Sequence, residues 1–143
     1  MEKNASSAES AFILENYDEA IELFSQAIEA DPNNAQALLH RGITYLKTAN
    51  PAAALQDFAH FEQKPQTPAS TYQLHLRKGQ AQFQLGEFAA AAESFQHALE
   101  LASSDAQKKV SVSWKNKTQL ELNNPHVGNI NNAAYLKSKP VSN

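Results

Sequence analysis

The sequence of 143 residues contains no cysteine, and this absence excludes several kinds of chemistry. Without cysteine a chain has no disulfide framework, no thiolate metal site and no cysteine nucleophile. No hydrophobic run approaches the length that a membrane-spanning helix requires, and the first residues lack the basic start and apolar run of a secretory signal. We therefore expect a soluble protein without a membrane partner, located in the cytoplasm, with the nucleus left open.

The sequence also lacks the motifs of the common active sites. It has only four glycines and no phosphate-cradling loop, nucleophile elbow or helical metalloprotease signature. The five histidines show no pairing at four-residue spacing within a predicted helix, so we expect no metal site. Acidic residues fall mostly at outward positions of amphipathic segments, where they usually act as solvating groups. The sequence therefore predicts no enzyme, no catalytic residue and no cofactor.

Basic residues are few and unevenly placed. There are 12 of them against 15 acidic residues, so nucleic-acid binding is not expected. Residues 1–35 carry eight acids and one lysine, a local balance of −7, whereas residues 105–143 carry six lysines and two acids, a balance of +4. This asymmetry favours a soluble surface, and it leaves open an attraction between the acidic and basic ends of two copies. A homodimer formed in that way would be weakened by salt.

What the sequence does contain is one helical motif in three copies. The first copy, residues 17–30, places apolar side chains at three- and four-residue steps, a spacing that predicts one stripe of a helix. Asp31 and Pro32 mark its end, because they favour a turn. Alanine and phenylalanine recur at the matching positions, as Ala20, Phe24 and Ala27, then Ala54, Phe58 and Phe61, then Ala91, Phe95 and Ala98.

A second periodic segment precedes each copy, so each unit reads as a helix, a short turn and a helix. Gly42 and Gly79 hold matching places in these first helices and allow a close approach of the partner helix, and Gly86 ends the last of them. Two prolines in residues 62–70 predict a lengthened loop before the third unit. The first helix of the first unit offers fewer packing groups, which are Ala8, Ala11, Phe12, Ile13 and Leu14.

Helical hairpins repeated at about 34 residues are typical of the tetratricopeptide pattern. The stretch NYDEAIELFSQAIEADPNN resembles the second half of a tetratricopeptide repeat (TPR), and LLHRGITYLKTANPAAALQDF and LRKGQAQFQLGEFAAAAESFQHALEL resemble two further repeats. The resemblance implies an all-α fold, an α-solenoid of three TPR helical hairpins plus a C-terminal capping helix. The expected organisation is a TPR domain at 1–122, with repeats at about 2–34, 35–68 and 69–102 and a capping helix at 104–122, then a disordered tail or linker at 123–143.

The segment after the third repeat is predicted to cover the end of the array. An array of this kind exposes the apolar face of its last helix unless a terminal helix covers it. The segment opens with a capping box of Ser104 and Gln107. The side chains predicted to share its inner side are Ala106, Val110, Trp114 and Leu122. We interpret Trp114 as a structural plug against the third hairpin rather than as a binding residue.

The resemblance also implies that the first helix of each hairpin lines a concave surface that holds an extended peptide or a partner helix. The candidate partner-binding side chains lie outside the packing stripe of these helices. They are Gln36, Leu39, His40, Ile43 and Lys47 in the middle repeat, and Gln73, Leu76, Arg77, Gln80 and Phe83 in the last. Arg41 and Lys78 occupy matching places just before the two glycines, and we interpret both as structural.

Many TPR co-chaperones bind the acidic C-terminal tails of heat-shock chaperones with a clamp of basic and amide side chains. At the positions of that clamp this sequence has Ala5, Glu9, His40, Gln73 and Arg77. Only Arg77 matches, and Glu9 would repel a carboxylate. We therefore predict a non-catalytic protein interaction module, a TPR adaptor without this clamp. A co-chaperone that binds acidic chaperone tails through a dicarboxylate clamp is the alternative.

A narrower resemblance is to the N-terminal domain of the SGT-one adaptors. It rests on LRKG at the start of the third repeat and on SVSWKNKTQLEL, in which a tryptophan is followed by bases and acids. Those adaptors link chaperones with ubiquitin-ligase machinery, and their TPR domain self-associates or docks to a ligase subunit. The resemblance implies a protein or peptide partner, with a homodimer as a second mode of association.

Overall fold

A computed structural model describes residues 2–124 of the chain, and it places the side chains from residue 6 onward. These residues form seven α-helices and no strand, which confirms the predicted all-α class. The helices are α1 (Glu2–Ile13), α2 (Tyr17–Ala30), α3 (Ala35–Lys47), α4 (Pro51–Glu62), α5 (Pro68–Gln84), α6 (Phe88–Leu101) and α7 (Asp105–Leu122). Almost all of the tail predicted at 123–143 lies outside the described residues.

The helices are grouped into two compact units, of which the first contains α1 to α4 and the second contains α5 to α7. In the first unit each helix packs against the next one along the chain. Its core includes Ala8, Ala11, Ala20, Phe24 and Ala27. In the second unit α6 packs against both α5 and α7. The core of this unit includes Tyr72, Leu76, Ala91, Phe95 and Ala98.

Two glycines determine how closely the helices of a hairpin approach each other. A Cβ atom added to Gly42 would lie 2.5 Å from Cε1 of Phe58, and one added to Gly79 would lie 2.6 Å from Cε1 of Phe95. Both distances are far below ordinary van der Waals contact, so each phenylalanine ring occupies the space that a side chain would need. The close approach predicted at both glycines is confirmed.

The predicted helix at residues 17–30 is confirmed as α2, with Ala20, Phe24 and Ala27 buried. The turn that precedes each second helix contains one residue with positive φ. These residues are Glu15 at 62°, Ala49 at 59° and Gly86 at 79°, so only the third hairpin has glycine at the position where the left-handed conformation favours it.

Two details of the connections differ from the prediction. The predicted lengthened loop is shorter, because Pro68 is the first residue of α5, where its fixed φ suits the first turn of a helix. Ile13 and Leu14 are 77% and 69% exposed, so they were wrongly assigned to the packing face of the first helix. The chain turns at Glu15 directly after α1, and both side chains lie at this turn, outside the core.

The predicted capping helix is confirmed as α7, and half of its capping box is present. The hydroxyl of Ser104 accepts a hydrogen bond from the backbone N–H of Gln107 at 3.1 Å. The Gln107 side chain accepts its bond from the N–H of Ser103 at 2.8 Å, one residue before the predicted donor.

The inner side of α7 was predicted wrongly in part. Val110 is 42% exposed, and Ala106 is exposed as well. The side chains that are fully buried are Ser111 and Thr118. Because a helix turns 100° per residue, each step of four residues advances 40° around the axis, so a row at multiples of four leaves the inner face. Trp114 packs as predicted, stacked on Phe95 with ring centroids 5.4 Å apart.

Candidate protein-binding surfaces

Five of the predicted partner-binding residues lie on α3. The helix begins after Asn34, whose side chain accepts a hydrogen bond from the backbone N–H of Ala37 at 3.1 Å. The side chains of Gln36 and Lys47 are exposed, and those of His40 and Ile43 are partly buried. Leu39 is only 3% exposed. Leu39 therefore contributes to packing and has little surface to offer a ligand.

His40 lies between an acidic and an aromatic side chain of its own unit. Its Nδ1 is 3.6 Å from Oε2 of Glu9 on α1. Its ring centroid is 5.8 Å from that of Phe24 on α2. Desolvation by burial lowers the pKa of His40, and the charge of Glu9 partly offsets this shift. His40 is therefore mainly neutral at pH 7, and it forms an ion pair with Glu9 only when it is protonated.

Arg41 connects three helices of the first unit. Its Nε and Nη2 donate to the two carboxylate oxygens of Asp57 on α4, at 2.8 Å and 2.7 Å. Its Nη1 donates to the hydroxyl of Ser25 on α2 at 3.0 Å. The hydrogen bond to Asp57 raises the pKa of Arg41 above its ordinary value. The structural role predicted for Arg41 is confirmed, and this network fixes the backbone from which the α3 surface projects.

The other five predicted residues lie on α5 in the second unit. Leu76 is 5% exposed and belongs to the core of that unit, so, like Leu39, it has little surface to offer a ligand. The remaining four side chains are partly buried, and they are Gln73, Arg77, Gln80 and Phe83. Their spacing along the helix is that of ligand-facing positions. Spacing alone, however, does not show whether such a side chain faces a ligand or packs against a neighbouring helix.

Arg77 is held by amides rather than by an acid. Its Nε donates to Oε1 of Gln73 at 3.3 Å, and its Nη1 donates to Oε1 of Gln80 at 3.1 Å. Arg77 differs in this from Arg41, which pairs with the carboxylate of Asp57. Burial lowers the pKa of Arg77, and Tyr72 partly offsets the shift. The guanidinium nevertheless stays charged at neutral pH, because its ordinary pKa is far above 7.

Phe83 lies among aromatic side chains of α6 and α7. Its ring contacts Phe88 edge to face with centroids 5.0 Å apart, and it contacts Trp114 in the same way at 5.6 Å. The Nζ atom of Lys117 lies 5.2 Å from the Phe83 ring centroid. These contacts give Phe83 a packing role at the end of α5.

Sequence reasoning missed Asp57 and Ser25, which complete the Arg41 network. The available signal was weak, since it consisted of one acid directly before Phe58 in the buried stripe of α4. It also missed that the fold brings His75 and His97 together, with ring centroids 5.1 Å apart. No group of three or more potential metal ligands occurs within the described residues. None of the described helices is both long enough and apolar enough to cross a membrane.

Comparisons with known proteins identify repeats in both units. Residues 10–48 match a family model described as TPR repeat, and residues 72–105 match a model described as tetratricopeptide repeat. The first match includes α2 and α3, and the second includes α6 and most of α5.

Curated relatives are similar over about two thirds of this chain. The mouse DnaJ homolog subfamily C member 7 is 36% identical over 92 residues, which is 64% of this chain and 18% of that protein. The rice protein SGT1 homolog is 31% identical over 101 residues, which is 71% of this chain and 27% of that protein. The chain therefore spans about a fifth to a quarter of the length of the curated relatives it matches.

A solved structure with the same fold is the second TPR domain of human RPAP3, determined in complex with the HSP70 peptide SGPTIEEVD. It is 25% identical to this chain with a TM-score of 0.70, and the match covers 81% of this chain and 92% of that domain. The helical-repeat fold class predicted from the sequence is confirmed. The two repeat matches, the relatives and this structural likeness agree, and the chain belongs to the tetratricopeptide-repeat proteins.

Proposed function

We propose that this chain is a non-catalytic adaptor that binds a protein or peptide partner through side chains of α3 and α5. TPR units are protein interaction modules, and the curated relatives named above are a DnaJ homolog and an SGT1 homolog. The proposal includes a co-chaperone role that links chaperone and ubiquitin-ligase machinery, in the cytoplasm or the nucleus. The binding residues are Gln36, His40, Ile43 and Lys47 on α3 and Gln73, Arg77 and Gln80 on α5.

The observation that carries this proposal is the contrast between the two sides of α3. One side is tied to the rest of its unit by the hydrogen bonds of Arg41 to Asp57 and Ser25. The other side presents the side chains of Gln36 and Lys47, both of which are exposed. A rigid helix with accessible polar side chains binds a partner at a small cost in conformational entropy.

The test is affinity capture with the full chain, followed by mass spectrometry of the bound proteins. The variant Gln36→Ala with Lys47→Ala alters the exposed positions of α3. The matched control is Gln56→Ala with His60→Ala, which changes two exposed side chains of α4. A protein retained by the wild type and the control but lost from the α3 variant supports the proposal. Equal capture by all three chains contradicts it.

Arg77 favours a second candidate function, the binding of an acidic peptide tail. Its guanidinium is partly buried, and the side chains that accept its hydrogen bonds within residues 6–124 are neutral amides, so an incoming carboxylate would meet an unneutralised cation. The human RPAP3 domain was solved with a peptide that ends in EEVD. Against this candidate stands Gln73, an uncharged residue where the resemblance to clamp-bearing co-chaperones implies a lysine.

Fluorescence anisotropy with the peptide SGPTIEEVD separates the two candidates. Micromolar binding that is lost in Arg77→Ala and strengthened in Gln73→Lys would support the acidic-tail candidate. The variant Gln96→Ala serves as a control, because it lies on α6 at a distance in sequence from both residues. An anisotropy that stays constant over the same protein concentrations would exclude the acidic-tail candidate, and the adaptor function proposed first would remain.

The proposal also includes self-association driven by charge. Asp18, Glu22 and Glu29 are exposed on α2, and Lys108 and Lys109 are exposed on α7. Opposite charges on two copies attract most strongly at low salt, because counter-ions screen exposed charges. Sedimentation velocity should therefore show a dimer at low ionic strength that dissociates as salt is added. A monomer at every salt and protein concentration contradicts this part.

A further inference from the structure

Two histidines on different helices meet on one side of the hairpin formed by α5 and α6. The ring centroids of His75 on α5 and His97 on α6 are 5.1 Å apart, and the ring planes are nearly perpendicular, at 89°. The side chain of His97 is exposed, and that of His75 is partly buried. Neither residue is among the partner-binding side chains proposed above, so the pair is a separate feature of the second unit.

The helices that carry the two histidines are held close together on both sides of the pair. Gly79 lies one helical turn after His75, and a Cβ atom at Gly79 would lie 2.6 Å from Cε1 of Phe95. The hydroxyl of Ser94 on α6 donates to Oε1 of Gln82 on α5 at 2.7 Å, which connects the same two helices again. Ligands on packed helices are held more precisely than ligands on loops, so the hairpin fixes the separation of the two imidazoles.

The separation of the two rings is the one that a shared metal ion requires. Zinc lies about 2.1 Å from each ligating imidazole nitrogen, and two imidazole rings at the tetrahedral angle then have centroids about 5.2 Å apart. The observed distance of 5.1 Å agrees with this value. Because the torsion between an imidazole ring and its Cβ atom is broad, the exposed ring of His97 can turn a nitrogen toward an ion while α6 stays in place.

The chemistry around the pair also suits a cation. Glu93 and Glu100 are exposed on α6, four residues before and three residues after His97, so both carboxylates lie on the same side of the helix as His97. Their negative charge raises the local concentration of cations. Imidazole nitrogen binds Zn²⁺, Cu²⁺ and Ni²⁺, whereas Mg²⁺ and Ca²⁺ prefer oxygen ligands. The pair therefore selects a transition-metal ion.

We propose that His75 and His97 form a binding site for a divalent transition-metal ion, and that Zn²⁺ is the ion whose tetrahedral geometry fits the pair. No group of three potential ligands occurs among the described residues, so the remaining coordination positions are open to water or to a ligand from another molecule. The ion connects α5 to α6 and stabilises the folded second unit, because the separated helices do not bring the two imidazoles together.

Isothermal titration calorimetry with Zn²⁺ tests the site on the full chain without a histidine tag. We expect one ion per chain. His75→Ala and His97→Ala should each weaken binding by at least about tenfold, since even the loss of a group that only orients a ligand costs that much. The matched control is His60→Ala, which removes an exposed histidine of α4 and should leave the affinity unchanged. A wild-type chain that binds no Zn²⁺ overturns the proposal, and so does equal affinity in all four chains.

Thermal unfolding at increasing Zn²⁺ concentration, followed by circular dichroism, tests the connection between the helices. The midpoint should rise with Zn²⁺ in the wild type and in His60→Ala, and it should stay constant in His97→Ala. His97 is exposed, so this variant keeps the fold even if His75→Ala does not. Mg²⁺ at the same concentrations should leave the midpoint unchanged, because it prefers oxygen ligands. A wild-type midpoint that ignores Zn²⁺, or an equal rise in His97→Ala, contradicts the proposal.

Discussion

Arg41 and Asp57 form a bidentate ion pair that is largely buried, with donor to acceptor distances of 2.8 Å and 2.7 Å. Asp57 is 3% exposed. A buried pair of this kind has a small net effect on stability, but the loss of one partner leaves the other charged and poorly solvated. The pair therefore makes the first unit sensitive to single substitutions at either residue.

We expect Asp57→Ala to lower the free energy of unfolding by about 3 to 5 kcal/mol, because Arg41 would lose the carboxylate that it pairs with. Urea unfolding followed by circular dichroism measures this change. Ser94 holds the matching place on α6 and donates to the side chain of Gln82 at 2.7 Å. Ser94→Ala is therefore the control, with an expected loss of about 0.5 to 1.5 kcal/mol. Equal losses in the two variants would contradict a special role of the ion pair.

Gly42→Ala and Gly79→Ala are expected to destabilise the chain by about 1 to 3 kcal/mol each, because the new methyl group would overlap a phenylalanine ring. The helix propensity of alanine acts in the opposite direction by about 1 kcal/mol, so a stabilised variant would show that the ring moves easily. Combining Gly42→Ala with Phe58→Leu should cost less than the sum of the two single changes. Urea midpoints of the three variants provide the comparison.

Ala49→Gly is expected to stabilise the chain by about 1 kcal/mol, because Ala49 has φ of 59° and the left-handed region costs a residue with a Cβ roughly that much. Glu15→Gly should act in the same direction at the first hairpin. Gly86→Ala should act in the opposite direction, since Gly86 has φ of 79°. Thermal unfolding of the three variants tests the signs, and a destabilised Ala49→Gly would show that this turn is not strained.

His40 should make the stability of the chain depend on pH. Burial lowers the pKa of His40 in the folded state, so the unfolded state takes up a proton more readily. The contribution of neutral His40 to the free energy of unfolding is complete above the pKa of His40 in the unfolded state, about 6.5. It is lost as the pH falls through that value toward the lower pKa of His40 in the folded state. We expect His40→Gln to lose less stability than the wild type between neutral and mildly acidic pH.

Glu9 supplies the control for this experiment. Its carboxylate, 3.6 Å from His40, favours the protonated imidazole and opposes the effect of burial. Glu9→Gln should therefore steepen the loss of stability at acidic pH, whereas His40→Gln should make it shallower. Identical pH profiles for the wild type and both variants would mean that His40 does not contribute. Urea unfolding at each pH gives the required free energies.

Local patterns in the sequence predicted the helices well. The stripe of Ala20, Phe24 and Ala27 predicted a helix at about 17–30, which is α2, and Gly42 predicted a close contact that the Phe58 ring makes. The first feature depends only on the spacing of apolar residues along one helix, and the second depends only on the lack of a side chain at glycine. Neighbouring residues in the sequence therefore contain the information that determines them.

The surroundings of the candidate binding residues were harder to predict. Arg41 and Asp57 are 16 residues apart, and their contact depends on how α3 packs against α4. Leu39 and Leu76 have the spacing of outward positions, yet both are buried. Whether an outward position meets solvent or a neighbouring element depends on tertiary packing, which the periodicity of one helix does not contain.

Trp114 is the single tryptophan of the chain, and it lies at the contact between α6 and α7. Intrinsic indole emission therefore reports on this one junction, whereas ellipticity averages over all the helices. A denaturation curve recorded by each method would distinguish the departure of one helix from concerted melting without any label or engineered residue. Trp114 thus serves as a built-in optical probe of the contact between α6 and α7.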